Sequence, residues 1–143
     1  ASRLVVLEDG RVTQSGPVRE VLASPATRFA AAVAGLNRVA GRTDAAAWRA
    51  GNLLLPAPAG AQHPAAAVFR PSDVRVVDGA PSGAGEWTAH IVRLEQTPAG
   101  VRVRTAEPDV AVDVTADRAA GLAPGDSITL RVDPADVRFV VEA

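Results

Sequence analysis

"VRVRTAEPDVAVDVT", residues 101–115, alternates apolar and polar side chains through two runs with a break between them. In the first run Val101, Val103 and Thr105 share one face while Arg102 and Arg104 share the other. In the second, Val110, Val112 and Val114 share a face. A period of two marks a strand with one buried face, and "EPD" (107–109) supplies the turn between the two. Working outward, "SITLRV" (127–132) repeats the pattern with Ile128, Leu130 and Val132. The turn signals "TPAG" (97–100) and "APGD" (123–126) separate these runs from their neighbours. From Asn37 onward no helical periodicity is present, and short strands at this spacing predict a mainly β fold, an antiparallel barrel or sandwich. Two Ala/Pro/Gly-rich stretches, "PAPAGAQHPAAA" (56–67) and "DGAPSGAG" (78–85), predict loops.

The segment "RPSDVRVV" (70–77) has an echo in "DPADVRFV" (133–140). The two share Pro71/Pro134, Asp73/Asp136, Val74/Val137, Arg75/Arg138 and Val77/Val140. In each, a proline forces an extended entry, an aspartate can accept backbone N–H bonds in the turn, and an alternating strand follows. The echo predicts one unit used twice, hence two related half-barrels or two small β modules, with Val74, Val76, Val137 and Phe139 in equivalent inward positions.

The first 36 residues read differently. Leu4 to Leu7 form an apolar run, Asp9-Gly10 is a tight-turn signal, and Val12 to Gln14 return, which predicts a β-hairpin. Gly16-Pro17 then breaks the strand. Pro17 suits the first turn of a helix that carries Val18, Val21 and Leu22 on one side. Ser24-Pro25 starts a second helix with Phe29, Ala32, Val33 and Leu36 on one face and Gly35 at its stop. A lone hairpin is marginal in water, so this element leans on something else. A chain that opens on such an element, without Met, is expected to be a piece of a longer protein. Its apolar face, with Val21, Leu22, Phe29 and Val33, is expected to favour a homodimer unless the chain covers it itself.

Composition narrows the chemistry. There is no Cys, so disulfides, thiolate metal sites and cysteine nucleophiles are excluded. There is no Lys, so a glycine-rich phosphate loop closed by lysine is excluded as well. The net charge of −1 and the scarcity of aromatic residues argue against a phosphate-backbone binder, although a nucleic-acid-binding OB module is the alternative of another class. No apolar run is long enough to span a bilayer and no leader pattern is present, which predicts a cytoplasmic location. His63 falls in a Pro/Ala loop and His90 in a strand, neither beside a serine in a nucleophile motif, so no catalytic set is predicted. Asp109, Asp113 and Asp117 lack the spacing of a cation loop, and no metal site is predicted. The sharpest binding option is an oxyanion held by Thr115, Arg118 and the backbone N–H groups of the turn they begin. The same residues also fit a capped turn between two strands.

These residues together resemble one family. "RLVVLEDGRVTQSGPVREVLASPATRFAAAVAGLN" (3–37) is similar to the C-terminal end of the nucleotide-binding domain of ABC-type importers. The matching residues are Arg3, Val6-Leu7, Gly10-Arg11, Gln14, Gly16, Glu20-Val21, Pro25 and Phe29, with one residue fewer between Gly16 and Pro17 than the family has. Residues 37–143 resemble the transport-associated OB (TOBE) domain of such ATPases, through "VFRPSDVRVV" and "LAPGDSITLRVDPADVRFV". "AGLNRVAG" and "VDVTADRAAG" are most like the molybdate-importer branch: Asn37, Gly41 and Thr115 match its oxyanion-binding motifs, and Arg118 stands where that branch has Ser.

The resemblance implies a remnant of the ATPase domain over 1–36 and, over 37–143, a regulatory and dimerising OB-type barrel with an internal repeat. It implies Thr115 and Asn37 as ligand contacts, to which the chemistry of the turn adds Arg118, and molybdate or tungstate as the ligand. ATP and magnesium would belong to a preceding part of the parent, so this piece itself is expected to hydrolyse nothing. The implied partners are a second copy, the ATPase domain and, indirectly, the permease subunits at the cytoplasmic face of the membrane. A sugar- or polyamine-type importer is the alternative within the family.

Overall fold

The computed structural model describes residues 3–8, 11–17, 35–44, 47–57 and 66–140. The expected Asp9-Gly10 turn, residues 18–34 of the two expected helices, and His63 lie outside them. The expected hairpin is present: β1 (Arg3–Glu8) pairs antiparallel with β2 (Arg11–Pro17), Glu8 facing Arg11, with an irregularity between Val6 and Leu7. Pro17, expected inside a helix, is instead the last residue of β2. Val5, Leu7 and Val12 are each more than half exposed on this ribbon.

The run 101–115 forms the last two strands at one side of a five-stranded antiparallel sheet. Its strands are β11 (Val110–Val114), β10 (Gly100–Ala106), β9 (Glu86–Thr97), β12 (Ser127–Val132) and β8 (Val74–Val77), in that spatial order. The expected inward residues Val101, Val103, Thr105, Val110, Val112, Leu130 and Val132 are buried, Ile128 and Val114 partly so; Ala111 and Thr129, on the opposite face, are buried too, so alternation is strict only in β10. The sheet curls until its outer strands β11 and β8 lie beside each other without joining as a ladder. This is an open barrel, as a five-stranded OB-type sheet allows.

Two smaller antiparallel sheets complete the core. One runs β13 (Arg138–Val140), β7 (Ala66–Phe69), β3 (Asn37–Ala40); the other runs β4 (Arg42–Asp44), β5 (Ala47–Ala50), β6 (Leu53–Pro56). The loop expected over 56–67 therefore ends early. Ala66–Phe69 is a strand with all four residues buried, because small side chains let it pass between β13 and β3. Alanine has little strand propensity of its own, so burial between two neighbours overrides the local signal. Gly85, with φ +84, ties the sheets together: its N–H donates to the Leu54 carbonyl at 3.1 Å, and its carbonyl accepts from Val132 N–H at 2.9 Å. A Cβ at Gly85 would overlap the Val132 carbonyl oxygen, so the position needs glycine.

The sequence echo is a structural repeat. Pro71–Asp73 and Pro134–Asp136 each form one 3-10 turn between an extended entry and an extended exit. Each turn carries the chain out of one sheet into another, and each exit strand lands on the entry strand of the other copy. β8 pairs with β12, and β13 pairs with β7. The registers match under the repeat: Leu130 opposite Val76 corresponds to Ala67 opposite Phe139, and Arg131 opposite Arg75 corresponds to Val68 opposite Arg138. The two units thus exchange strands about a local two-fold. Of the four inward positions expected, Val74 is buried and Val76, Val137 and Phe139 are half-buried, while Arg75 and Arg138 are exposed.

The first turn is pinned by Arg70. Its backbone N–H donates to Asp73 at 3.0 Å, and its guanidinium donates to both Asp73 oxygens at 3.2 and 2.9 Å. Burial pushes the Asp73 carboxyl up, but these bonds and the adjacent positive charge outweigh it and hold the group below the usual carboxylate range. Glu95, bonded first by Arg93 and then by Arg104, is likewise held low. Groups whose folded pKa is depressed stabilise the fold above their unfolded values, about 3.9–4.3, and that contribution is lost as pH falls through the lowered folded values. The urea midpoint is therefore expected to fall on acidification below about pH 4, with a shallower slope for Asp73→Asn. A midpoint that is flat from pH 7 to pH 2 would remove both carboxylates from the account.

Candidate functional site

Thr115 and Arg118 belong to a single helical turn, α1 (Ala116–Ala119), between β11 and β12. Thr115 is its N-cap: Oγ1 accepts the Arg118 N–H at 3.2 Å, and the Thr115 carbonyl accepts the Ala119 N–H at 3.0 Å. The hydroxyl proton is free to be donated elsewhere. Both residues are exposed. The Arg118 guanidinium reaches back over β8, donating to the Val76 carbonyl at 3.3 Å and facing Asp78 at 3.5 Å. An incoming anion would compete with Asp78, whose side chain is 99% exposed and so contributes little as an ion-pair partner.

Arg118 overhangs a depression of about 540 Å³ formed by the Asp78–Pro81 loop and the outer face of β9 and β12. Thr88, Ser127 and Thr129 contribute hydroxyls to it. Thr129 donates to the Gly79 carbonyl at 2.6 Å and so fastens the loop over the sheet. Beside it Ser127 Oγ lies 2.9 Å from His90 Nδ1, on directly opposed residues of β12 and β9. His90 thus does have a serine partner, which the sequence concealed because the two lie 37 positions apart and meet only through strand pairing.

Asn37 is placed elsewhere. It is buried at the start of β3, where its Nδ2 donates to the Ala111 carbonyl at 2.9 Å and its Oδ1 accepts the Ala111 N–H at 2.8 Å. The amide completes the unpaired edge of β11 as a short substitute strand. Asn37 lines a second depression, of about 390 Å³, together with Arg38, Arg93, Arg102 and Arg104. The fold therefore brings Thr115 and Arg118 together and places Asn37 in a different hollow.

The alternating arginines of the opening stretch form a paired network on that side. Arg102 faces Asp113 directly across the β10–β11 ladder and bonds both its oxygens, at 2.8 and 3.2 Å. That bonding raises the guanidinium pKa further, and burial opposes it. Glu95 takes Arg93 at 2.7 Å and Arg104 at 3.0 Å. Among the described residues no group of three or more His, Asp or Glu side chains is arranged to hold a metal. Arg38 was not singled out from sequence. Its signal, a lone arginine on a four-residue strand, carries no pattern.

No family model matches the chain. The molybdenum import ATP-binding protein ModC of Mycobacterium tuberculosis, in strains CDC 1551 / Oshkosh and ATCC 25618 / H37Rv, is 34% identical over 154 aligned residues. That similarity takes in 96% of this chain and 41% of ModC, so the chain spans about two-fifths of the length of the curated relatives it matches. Among solved structures, the cytoplasmic molybdate-binding protein ModG, in a form with molybdate bound, shares the fold with a TM-score of 0.57 at 18% identity. The match covers 73% of this chain and 95% of ModG. The resemblance to the C-terminal part of an importer ATP-binding protein of the molybdate branch therefore holds over nearly the whole chain.

Proposed function

We propose that this chain is the C-terminal regulatory and dimerising part of the ATP-binding subunit of an ABC importer for molybdate or a related oxyanion, and that it senses that oxyanion. The observation that carries the reading is the similarity to ModC across 96% of the chain. In this reading residues 1–36 end the ATPase domain and 37–143 form the transport-associated OB-type domain. ATP and magnesium bind the preceding part of the parent, a second copy and the permease are its partners, and it works at the cytoplasmic face of the membrane. This piece hydrolyses no ATP by itself, since a chain without lysine has no lysine-closed phosphate loop.

The contacts proposed for the oxyanion are the Thr115 hydroxyl and the Arg118 guanidinium, which can give charge-assisted bonds to two oxygens. Asn37 contributes through the position of β3, because both ends of its amide are bonded to Ala111. Calorimetry with molybdate, tungstate and sulfate tests this. Saturable heat is expected for molybdate and tungstate. Losing one hydrogen bond to a charged ligand costs about 1.5–3 kcal/mol, so Thr115→Ala and Arg118→Ala should each weaken binding roughly ten- to hundredfold. Heat that neither substitution changes would move the site elsewhere, and no heat from any oxyanion would leave a dimerising domain without a sensor.

A further inference from the structure

Arg38 sits in the middle of β3, opposite Val68 of β7, and is only partly exposed. Its Nε–H is shut off from solvent and has no hydrogen-bond partner. A buried donor on a charged group left without an acceptor is costly, and native structures satisfy nearly all such groups. The other three guanidiniums of the same hollow are committed, Arg102 to Asp113 and both Arg93 and Arg104 to the single carboxylate of Glu95. Asp109, the acidic residue of the lining, has an interaction of its own. Among the described residues, four guanidiniums thus stand against three carboxylates, and Arg38 is a cation that neither Glu95 nor Asp113 takes up.

We propose that this hollow binds a small organic anion, its phosphate or carboxylate group held by Arg38. The volume of about 390 Å³ lies in the range of small-molecule sites. Leu36, Pro71 and the exposed Val92 line it beside the arginines, which gives an apolar wall for a carbon body next to a cationic anchor. With its Nε–H closed to solvent, the partly exposed Arg38 offers the terminal N–H groups of its guanidinium to an oxyanion group, and the neighbouring Arg–Glu and Arg–Asp pairs hold the surrounding surface in place. The site is separate from Thr115 and Arg118, and its existence does not depend on the importer reading.

Titration calorimetry with phenyl phosphate, against inorganic phosphate and molybdate, tests the assignment. Phenyl phosphate should bind saturably and at least roughly tenfold more tightly than inorganic phosphate, because only it reaches the apolar wall. Arg38→Gln should weaken that binding at least tenfold, Arg38→Lys less, and Arg118→Ala not at all. Should Arg38→Gln fail to fold, Val92→Asp on the exposed rim sets a carboxylate beside the bound anion, and the same loss is expected. Phenyl phosphate binding that is indifferent to both substitutions overturns the site, as does the absence of saturable binding. Equal affinity for inorganic phosphate or molybdate overturns the organic ligand.

Discussion

Trp48→Ala is expected to remove about 3–5 kcal/mol of stability, the range for deleting a large buried aromatic side chain. Trp48 is fully buried at the centre of the β4–β5–β6 sheet, facing Thr43 and Leu55 across its two ladders. Its ring meets Phe139 edge-on, centroids 5.5 Å apart and planes at 70°, so it joins this sheet to the second copy of the repeat. Gly41 lies so close to the indole that a Cβ there would overlap it. Backbone packed this tightly on three sides cannot collapse into the space left by alanine, which places the cost high in its range. Small domains hold only about 5–15 kcal/mol in total, so much of the fold's stability is at stake. Trp48→Phe should recover most of the loss, since the indole N–H has no hydrogen bond to give up. Urea unfolding checks both, with exposed Arg49→Ala expected to stay within about 0.5 kcal/mol of wild type. A Trp48→Ala cost under about 1 kcal/mol would mean that the ring is not the joint described.

Asn37→Ala is the second large effect, expected at about 1–3 kcal/mol for leaving buried backbone groups without partners. Both the N–H and the carbonyl of Ala111 lose their bonds, in a strand whose neighbours Val110 and Val112 keep water away. The loss should appear in thermal unfolding with no ligand present, and it should be the same with molybdate at saturation. Loss of molybdate binding with unchanged stability would instead make Asn37 a ligand contact and remove its role as an edge cap. Asn37→Asp should not restore stability, because a carboxylate presents no donor to the Ala111 carbonyl.

Much of this architecture is written locally. The alternation in "VRVRT" and "SITLRV" has a period of two, and a half-buried strand is the one element with that period, so the faces of β10 and β12 follow from the residues alone. The repeated Pro-x-Asp-Val likewise determined two identical turns, because proline and its neighbour restrict the same few dihedral angles wherever they occur. The hairpin at residues 3–17 and the capped turn at Thr115 are also chemistry of near neighbours. The Trp48 sheet was less legible: its strands are three or four residues long, too short for any period to show. Ala66 and Ala67 read as the end of a loop because alanine has no strand preference, and only enclosure by β3 and β13 makes them part of a strand.

Residue pattern alone therefore specified the β class, the inward faces of β10 and β12 and the repeated Pro-x-Asp-Val turn, while the long strand β9 showed no readable period. Tertiary structure alone decided that the two repeats exchange strands, since a turn says where the chain bends and not which strand it will join. It decided too that Asn37 spends its amide on Ala111 and that Ser127 meets His90. It parted Asn37 from Thr115 and Arg118, and it left Arg38 with a buried donor among paired arginines. Each of these depends on groups 37 to 74 positions apart or on the absence of a neighbour, and local preference reaches only a few residues along the chain.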